Sequence, residues 1–327
     1  MRLRCAVAVV LAIASLALVH AQRTPALLTL INRPRVPLAP EVSGRHFSFA
    51  SEAGERVTGI LVPPAASGTR HPVVIALHGT GDSKEGMAPL LDVLAARGFV
   101  AVAIDGRYHG EREKRPGAYT DAILRAYRTG QGHPFLYDTV WDVMRLVDYL
   151  QTRPDVDPAR IGLIGISKGG METYLTAAVD PRIAVAIPVI GVQSFRWGLD
   201  HDAWVARVET FQGAIVGAAR DEKLTDVNAA FVRKFYDRVA PGIYSDFDGP
   251  AMLPHIAPRP LLVINGDSDD RTPLAGVHEA ATAAEQAYKA AAASDKFRLI
   301  VQPNAGHEFT PPAERAAIDW FVRWLRP

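Results

Sequence analysis

Short apolar runs alternate with longer amphipathic stretches along most of the chain. This alternation predicts a mostly parallel sheet that is covered by helices on both faces. The apolar runs that predict buried strands are Val73–Leu77, Val100–Ile104, Ile161–Ile166, Ile183–Val189, Leu261–Ile264 and Phe297–Val301. The stretches that predict helices are approximately Lys84–Arg97, Phe135–Gln151, Gly169–Ala178, Gly276–Ala292 and Pro312–Leu325.

Two further regions precede this alternating part. Arg45–Ala50 and Val57–Val62 flank the polar turn Ser51–Glu55, which predicts a β-hairpin and a sheet of about eight strands in all. Residues 22–44 are rich in proline and lack clear periodicity, so we expect an irregular N-terminal arm. The main domain is therefore predicted to span residues 45–327.

The segment from about 192 to 258 is longer than a crossover between strands requires, and it indicates a helical cap inserted after the sixth predicted strand. Its aromatic residues predict either a mutual core or the wall of an apolar pocket. Trp197 and Trp204 are the leading candidates for the pocket. The aromatic residues are Phe195, Trp197, Trp204, Phe231, Phe235, Tyr236, Tyr244 and Phe247.

The first 21 residues are typical of a cleaved signal peptide. Arg2 and Arg4 precede an uncharged apolar run, and Ala21 fits the small-residue cleavage site. The apolar run is shorter than the ~20 residues that span a bilayer, so cleavage is favoured over a membrane anchor. A secreted or periplasmic protein follows from this interpretation. Cys5 is the single cysteine, and the mature protein would have no disulfide.

The net charge of the chain does not indicate a macromolecular partner. The chain has 36 Lys and Arg against 35 Asp and Glu, and loss of Arg2 and Arg4 would turn a formal +1 into −1. Neither nucleic acid nor an anionic membrane surface is indicated by this balance. The sequence contains no evident metal-ligand cluster or phosphate loop, so no metal and no cofactor are expected. The oligomeric state is left open.

Residues 165–170, GISKGG, place a serine between glycines where a predicted strand meets a predicted helix. This is the arrangement of a nucleophile elbow, in which the serine has a strained backbone and adjacent side chains would collide with the turn. Ser167 is therefore the candidate nucleophile. The Gly-X-Ser-X-Gly pattern is weak alone, and its position between strand and helix makes it informative.

A serine nucleophile needs a base and a carboxylate that orients the base. His307 follows the last predicted strand and is the candidate base, ahead of His109, His201 and His255. Residues 265–273, NGDSDDRTP, follow the strand before it and contain three acids that compete for the carboxylate role. The alternative for these acids is a solvated turn or a calcium-like site.

The loop after the first central strand reads HGTG at residues 78–81. The backbone amides of Thr80 and Lys168 are predicted to form an oxyanion hole, with His78 holding the loop by hydrogen bonding. The Lys168 side chain is interpreted as structural or solvent-facing. A Ser–Lys catalytic pair is the less favoured alternative, because adjacent residues point apart.

These motifs resemble the α/β-hydrolase superfamily, and within it the dienelactone hydrolase, acetyl xylan esterase and prolyl oligopeptidase-like branches. The resemblance covers residues 73–325 and implies an α/β-hydrolase fold. It identifies the acid with the aspartate of Gly-X-X-Asp-X-Arg-X-Pro, which is Asp269 here, with Asp267 as the fallback. It also implies that residues 105–112 border the active site, which makes Tyr108 a candidate pocket residue.

The expected activity is hydrolysis of a carboxylic ester through an acyl-enzyme, with a small-molecule or carbohydrate-linked ester as substrate. A small-peptide hydrolase and a non-catalytic binding protein on the same fold are the alternatives. Only about 50 residues separate the predicted signal peptide from the first central strand, which leaves no room for a peptide-screening propeller. No stable membrane anchor is expected.

Overall fold

The computed structural model describes residues 26–65 and 70–326. The predicted signal peptide, residues 1–21, and Cys5 lie outside these ranges, so cleavage and export stay predictions. Within the described ranges, no helix is both long enough and apolar enough to cross a membrane.

A single mixed sheet organises the described part of the chain. Its strand order is β1-β2-β3-β5-β4-β6-β7-β8-β9. The first three strands pair antiparallel, and β3 also pairs antiparallel with β5. All pairings from β5 through β4 to β9 are parallel. The strands are β1 (Glu41–Ser43), β2 (His46–Glu52), β3 (Glu55–Val62), β4 (His71–Leu77), β5 (Val100–Ile104), β6 (Val156–Ile166), β7 (Ile183–Val189), β8 (Leu261–Gly266) and β9 (Phe297–Gln302).

Helices cover both faces of this sheet, as the alternating pattern predicts. The helices are α1 (residues 26–31), α2 (Ala88–Ala96), α3 (Ala118–Thr129), α4 (Tyr137–Gln151), α5 (Lys168–Val179), α6 (Phe195–Asp200), α7 (Val205–Thr210), α8 (Gln212–Asp221), α9 (Ala229–Val239), α10 (Gly249–Met252), α11 (Leu274–Ala290) and α12 (Pro311–Leu325). Along β4, Val73 and Ile75 face the core that contains α4 and α5. Val74 and Ala76 face the core that contains α2 and α12. The α/β-hydrolase fold is therefore confirmed.

Three predictions of local structure need correction. The arm 22–44 is not wholly irregular, because residues 26–31 are helical and β1 adds a strand to the hairpin. Leu27 and Ile31 lie one helical turn apart and are both buried in the core, which explains the short helix. In addition to the helix at residues 26–31 and strand β1, the structure contains a third element that was not predicted, helix α3, which precedes α4 between β5 and β6.

The segment between β7 and β8 contains α6 to α10 and one further turn of 3-10 helix, Leu253–Ile256. Most of its aromatic rings bury one another, as in the contact of Phe195 with Tyr236 at 6.0 Å between ring centroids. Asp248 joins the end of this segment to its start, because its carboxylate accepts hydrogen bonds from the amides of Phe195 (2.8 Å) and Arg196 (3.1 Å). Burial raises the pKa of Asp248 to about 6, although these hydrogen bonds oppose the shift.

A buried ion network holds the loop after β5. Arg107 binds both carboxylate oxygens of Asp142, at 2.8 and 2.9 Å, and Arg112 reaches the same carboxylate at 2.8 Å. Asp142 is fully buried on α4, and the two guanidinium groups hold its pKa far below the usual value against the effect of burial. The loop that leads away from β5 is thereby fastened to α4.

Replacing Asp142 with Asn should destabilise the protein by about 3–5 kcal/mol, since two buried guanidinium groups would lose their shared counterion. The free energy of unfolding in urea is the measurement. Asp237→Asn is the matched control, because Asp237 pairs with Arg233 at 3.8 Å on the surface of α9 with side-chain exposures of 50% and 64%. Its cost should stay below about 1 kcal/mol. Equal losses in the two variants would contradict the buried network.

Candidate active site

Ser167 stands at a sharp turn between β6 and α5. Its backbone has φ 57° and ψ −114°, a strained conformation for a residue with a side chain. A Cβ atom on Gly165 would lie 2.1 Å from the carbonyl oxygen of Gly169, and one on Gly169 would lie 2.4 Å from that of Leu77. The crowding that the flanking glycines predict is therefore confirmed.

The turn brings Ser167 into a chain of contacts with the loops after β9 and β8. Nε2 of His307 lies 2.8 Å from Oγ of Ser167. On the other side of the ring, Nδ1 lies 2.8 and 3.0 Å from the two oxygens of Asp269. A proton on Nδ1 donates to the carboxylate, which leaves Nε2 free to accept the serine proton.

The Asp269 carboxylate is held in the ionised form. The amides of Arg271 and Thr272 donate to Oδ1 at 2.9 and 3.1 Å, and the Thr272 hydroxyl lies 2.6 Å from Oδ2. Burial acts to raise the pKa of Asp269, but the hydrogen bonds from His307 and Thr272 outweigh it and keep the pKa below its usual value. The charge needed to stabilise an imidazolium is therefore present at neutral pH.

Asp267, the fallback acid, has a different role. Its exposed carboxylate accepts hydrogen bonds from the amides of Asn304 (2.9 Å) and Ala305 (3.2 Å). These bonds connect the loop after β8 with the loop that carries His307. Asp267 thus helps to bring the two loops together, and Asp269 is the acid that contacts the imidazole.

The remaining candidate histidines lie outside this chain of contacts. His109 is buried, and its Nδ1 lies 2.7 Å from the carbonyl oxygen of Arg107. His201 stacks on Trp197 with ring centroids 4.4 Å apart. His255 belongs to the 3-10 turn Leu253–Ile256.

The loop after β4 carries Thr80 of the predicted oxyanion hole, and His78 fixes this loop. His78 Nδ1 donates to the carbonyl oxygen of Gly79 at 2.7 Å, and its Nε2 accepts from the amide of Gly106 at 2.9 Å. Burial, together with the nearby Lys168 charge, lowers the pKa of His78 to about 3, so the ring stays neutral and can make both bonds. In the part of the chain that the structure describes, the amides of Thr80 and Lys168 donate to no protein acceptor.

The Lys168 side chain is structural, in agreement with the interpretation that the sequence favours over a Ser–Lys catalytic pair. Its Nζ donates to Oε1 of Glu172 at 2.6 Å, and both side chains are only 1% exposed. Burial raises the pKa of Glu172 to about 7, against the opposing effect of the Lys168 charge. The ammonium group is therefore engaged one helical turn along α5 and does not serve Ser167 as a base.

Among residues 26–65 and 70–326, one group of side chains has the spacing of a metal site, namely His46, Glu85 and Glu111 on the surface. The ammonium group of Lys84 lies 2.7 Å from a carboxylate oxygen of each glutamate. This ammonium group already contacts both carboxylates, and its positive charge opposes the binding of a divalent ion there.

A cavity of about 290 Å³ opens above Ser167. The aromatic residues predicted to shape it lie elsewhere. Trp197 stacks on His201, Trp204 packs against the core at the start of α7, and the Tyr108 hydroxyl accepts from Arg125 at 3.0 Å. The described lining consists of Gly79, Thr80, Ile166, Ser167, Met171, Ile190, Arg207, Glu209, Thr210, Arg271, Thr272 and His307.

The cap thus contributes polar residues of α7, and not aromatic rings, to the cavity. Arg207, Glu209 and Thr210 were not identified from the sequence, and Arg271 was noted only as part of a motif. No local signal marks them, because a charged residue in a helical stretch is usually solvated. The side from which the cap approaches the sheet decides which residues face the cavity.

Serine, histidine and aspartate in mutual contact at the carboxyl ends of parallel strands are typical of an α/β-hydrolase. Residues 89–326 match the model of the prolyl oligopeptidase family. The chain belongs to that family.

Relatives and solved structures agree with this assignment. The chain is 28% identical over 234 residues to the Bacillus subtilis protein named "Putative hydrolase YtaP", a match that spans 72% of this chain and 68% of that one. It is 24% identical to "Putative esterase YitV" of the same organism, over 78% and 89% of the two chains. Acetyl xylan esterase 1 from Thermoanaerobacterium sp. JW/SL YS485 has the same fold, with a TM-score of 0.67, 18% identity and 93% coverage of both chains.

Gly169→Ala should lower both stability and activity, although alanine is the better helix former. The new methyl group would lie 2.4 Å from the Leu77 carbonyl oxygen, and relief would separate the elbow from the loop of Thr80. We expect a loss of about 1–3 kcal/mol in urea unfolding.

Gly198→Ala is the control for this substitution. Gly198 is also helical, and a Cβ atom there meets nothing within 4 Å. It should leave stability unchanged or raise it by roughly 0.5–1 kcal/mol. A neutral or stabilising Gly169→Ala would contradict the packing argument.

Proposed function

We propose that the chain is a serine esterase that cleaves carboxylic esters through an acyl-enzyme on Ser167. The observation that carries this proposal is the continuous set of contacts from Ser167 through His307 to Asp269, with Ser167 and His307 facing the cavity. Family membership supports a hydrolytic reaction.

The geometry supports the following sequence of steps. His307 Nε2 takes the proton of Ser167 as Oγ attacks the ester carbonyl, and Asp269 stabilises the imidazolium that forms. The amides of Thr80 and Lys168 donate to the oxyanion. The carbon–oxygen bond then breaks, and the leaving alkoxide receives the proton from His307 and departs as the alcohol.

Water completes the cycle. His307 removes a proton from water as the water oxygen attacks the acyl carbon, and collapse of the second oxyanion returns a proton to Ser167 and releases the acid. Every proton that moves passes through Nε2 of His307. The neutral tautomer that accepts at Nε2 is the one favoured by the contact between Nδ1 and Asp269.

Esters are favoured over peptides as substrates by the share of each relative's own length that is matched, which is 89% for a relative named an esterase and 35% for two relatives named peptidases. YitV is named an esterase, and the acetyl xylan esterase from Thermoanaerobacterium has the same fold over almost the full length. The small cavity is also suited to a small ester. The family includes peptidases, so an aminoacyl anilide belongs in the same assay.

Ser167→Ala should reduce hydrolysis of p-nitrophenyl acetate, butyrate and octanoate by several orders of magnitude, on the order of 10⁶, because the acyl-enzyme cannot form. The measurement is kcat/KM for each ester. Ser245→Ala, which changes an exposed serine of the cap, should retain full activity.

A fluorophosphonate probe distinguishes the alternatives. Labelling of Ser167 with ester turnover supports the esterase, and labelling with faster cleavage of an aminoacyl anilide would replace it with a peptidase. A correctly folded protein with neither labelling nor turnover would refute the enzyme and favour a binding protein.

A further inference from the structure

Arg207 is a buried cation that lines the active-site cavity. It lies on α7 of the cap, and only 6% of the residue is exposed. Its guanidinium group lies 5.8 Å from the centroid of the Phe195 ring, and Tyr236 donates to its backbone carbonyl oxygen. Burial in this aromatic setting lowers the pKa of Arg207.

Arg207 lacks the partners that the other buried arginines have. Within residues 26–65 and 70–326, no carboxylate oxygen lies within 4.0 Å of its guanidinium group, whereas Arg107 and Arg112 share Asp142. Its hydrogen bond goes from Nη2 to the carbonyl oxygen of Arg271. Arg259, which also lacks a carboxylate, instead donates to four carbonyl oxygens.

Burying a guanidinium group is costly unless its donors are satisfied. Arg207 has five N–H donors and one described acceptor, so most of its donors are left for whatever enters the cavity. The Asp269 carboxylate is near enough to raise the pKa of Arg207, but its oxygens are engaged by His307 and by Thr272. The nearby negative charge therefore does not satisfy Arg207.

A second cation stands beside it. Arg271 lines the same cavity, is exposed, and is close enough for its charge to lower the pKa of Arg207. No carboxylate of the described residues lies within 4.0 Å of Arg271 either. The exposed Glu209 is the one acid in the described lining, so two arginines face one glutamate.

We propose that Arg207 binds a carboxylate of the substrate, and hence that the substrates are esters that also carry a free carboxylate. This inference rests on the proposed esterase function. The planar guanidinium fork matches a carboxylate in a bidentate arrangement, and the burial of Arg207 strengthens the contact. Binding would satisfy the open donors of Arg207 while the ester carbonyl lies at Ser167.

The test compares matched esters with and without a carboxylate. Mono-p-nitrophenyl glutarate and p-nitrophenyl valerate probe a carboxylate on the acyl side, and 4-carboxyphenyl and 4-carbamoylphenyl butyrate probe the alcohol side. In one of the two pairs, the wild-type protein should favour the charged ester by about 10- to 100-fold in kcat/KM, the range of hydrogen bonds to charged groups. Added salt should reduce that ratio.

Arg207→Met should bring the charged-to-neutral ratio close to one, and Arg207→Lys should restore part of it. A ratio measured on one preparation is independent of the folded fraction, so a merely structural role would lower both rates and leave the ratio unchanged. Arg220→Met, an exposed arginine on α8, is the control and should keep the wild-type ratio. If Arg207→Met fails to fold, the proposal is tested by the charged-to-neutral ratio of Arg207→Lys and by the salt dependence of that ratio in the wild-type protein.

A binding measurement separates this inference from the esterase proposal. Calorimetric titrations of the Ser167→Ala variant with monomethyl glutarate and with 4-carboxyphenyl butyrate should show binding of at least one of them that Ser167→Ala/Arg207→Met lacks, whether or not the wild-type protein turns over any ester. Wild-type ratios near one in both ester pairs, or a preference that survives Arg207→Met, would overturn the proposal.

Discussion

The close approach of backbone to backbone around Ser167 is the constraint on which the site depends. Gly165 and Gly169 let the start of α5 lie against the end of β6 and against the carbonyl groups at the end of β4. One set of contacts therefore positions both the nucleophile and the loop that carries Thr80. Because these contacts are between main-chain atoms, no side-chain adjustment can replace them.

Buried polar and charged groups support the elements that this packing brings together. His78 fixes its own loop against Gly106, and the Lys168–Glu172 pair lies directly behind the elbow. Such pairs contribute little net stability, since desolvation offsets much of the Coulomb attraction. Their effect is to define one arrangement, because any displacement would leave a charge or a donor unsatisfied in the interior.

Much of the fold could be predicted from the sequence, because buried parallel strands are continuous apolar runs. The bounds of Val100–Ile104 and Ile183–Val189 agree with the structure at both ends. Ser167 and His307 could be proposed because the turn residues and the succession of strands along the chain can both be identified in the sequence. The residues that line the pocket could not be predicted. Trp197 and Arg207 are both cap residues, and only tertiary packing determines which of them faces the cavity. The short strand β1 could not be predicted for a different reason, since an exposed edge strand of three residues has no hydrophobic periodicity.

The cap is a single continuous insertion between β7 and β8, while Thr80, Ser167, Asp269 and His307 lie on loops that follow β4, β6, β8 and β9. Asp248 closes the insertion on itself, since it bonds residues at the opposite end of the same segment. This one stretch of chain can therefore be exchanged or remodelled, and with it the described polar lining of the cavity, without a change in the loops that hold Ser167, Asp269 and His307 together.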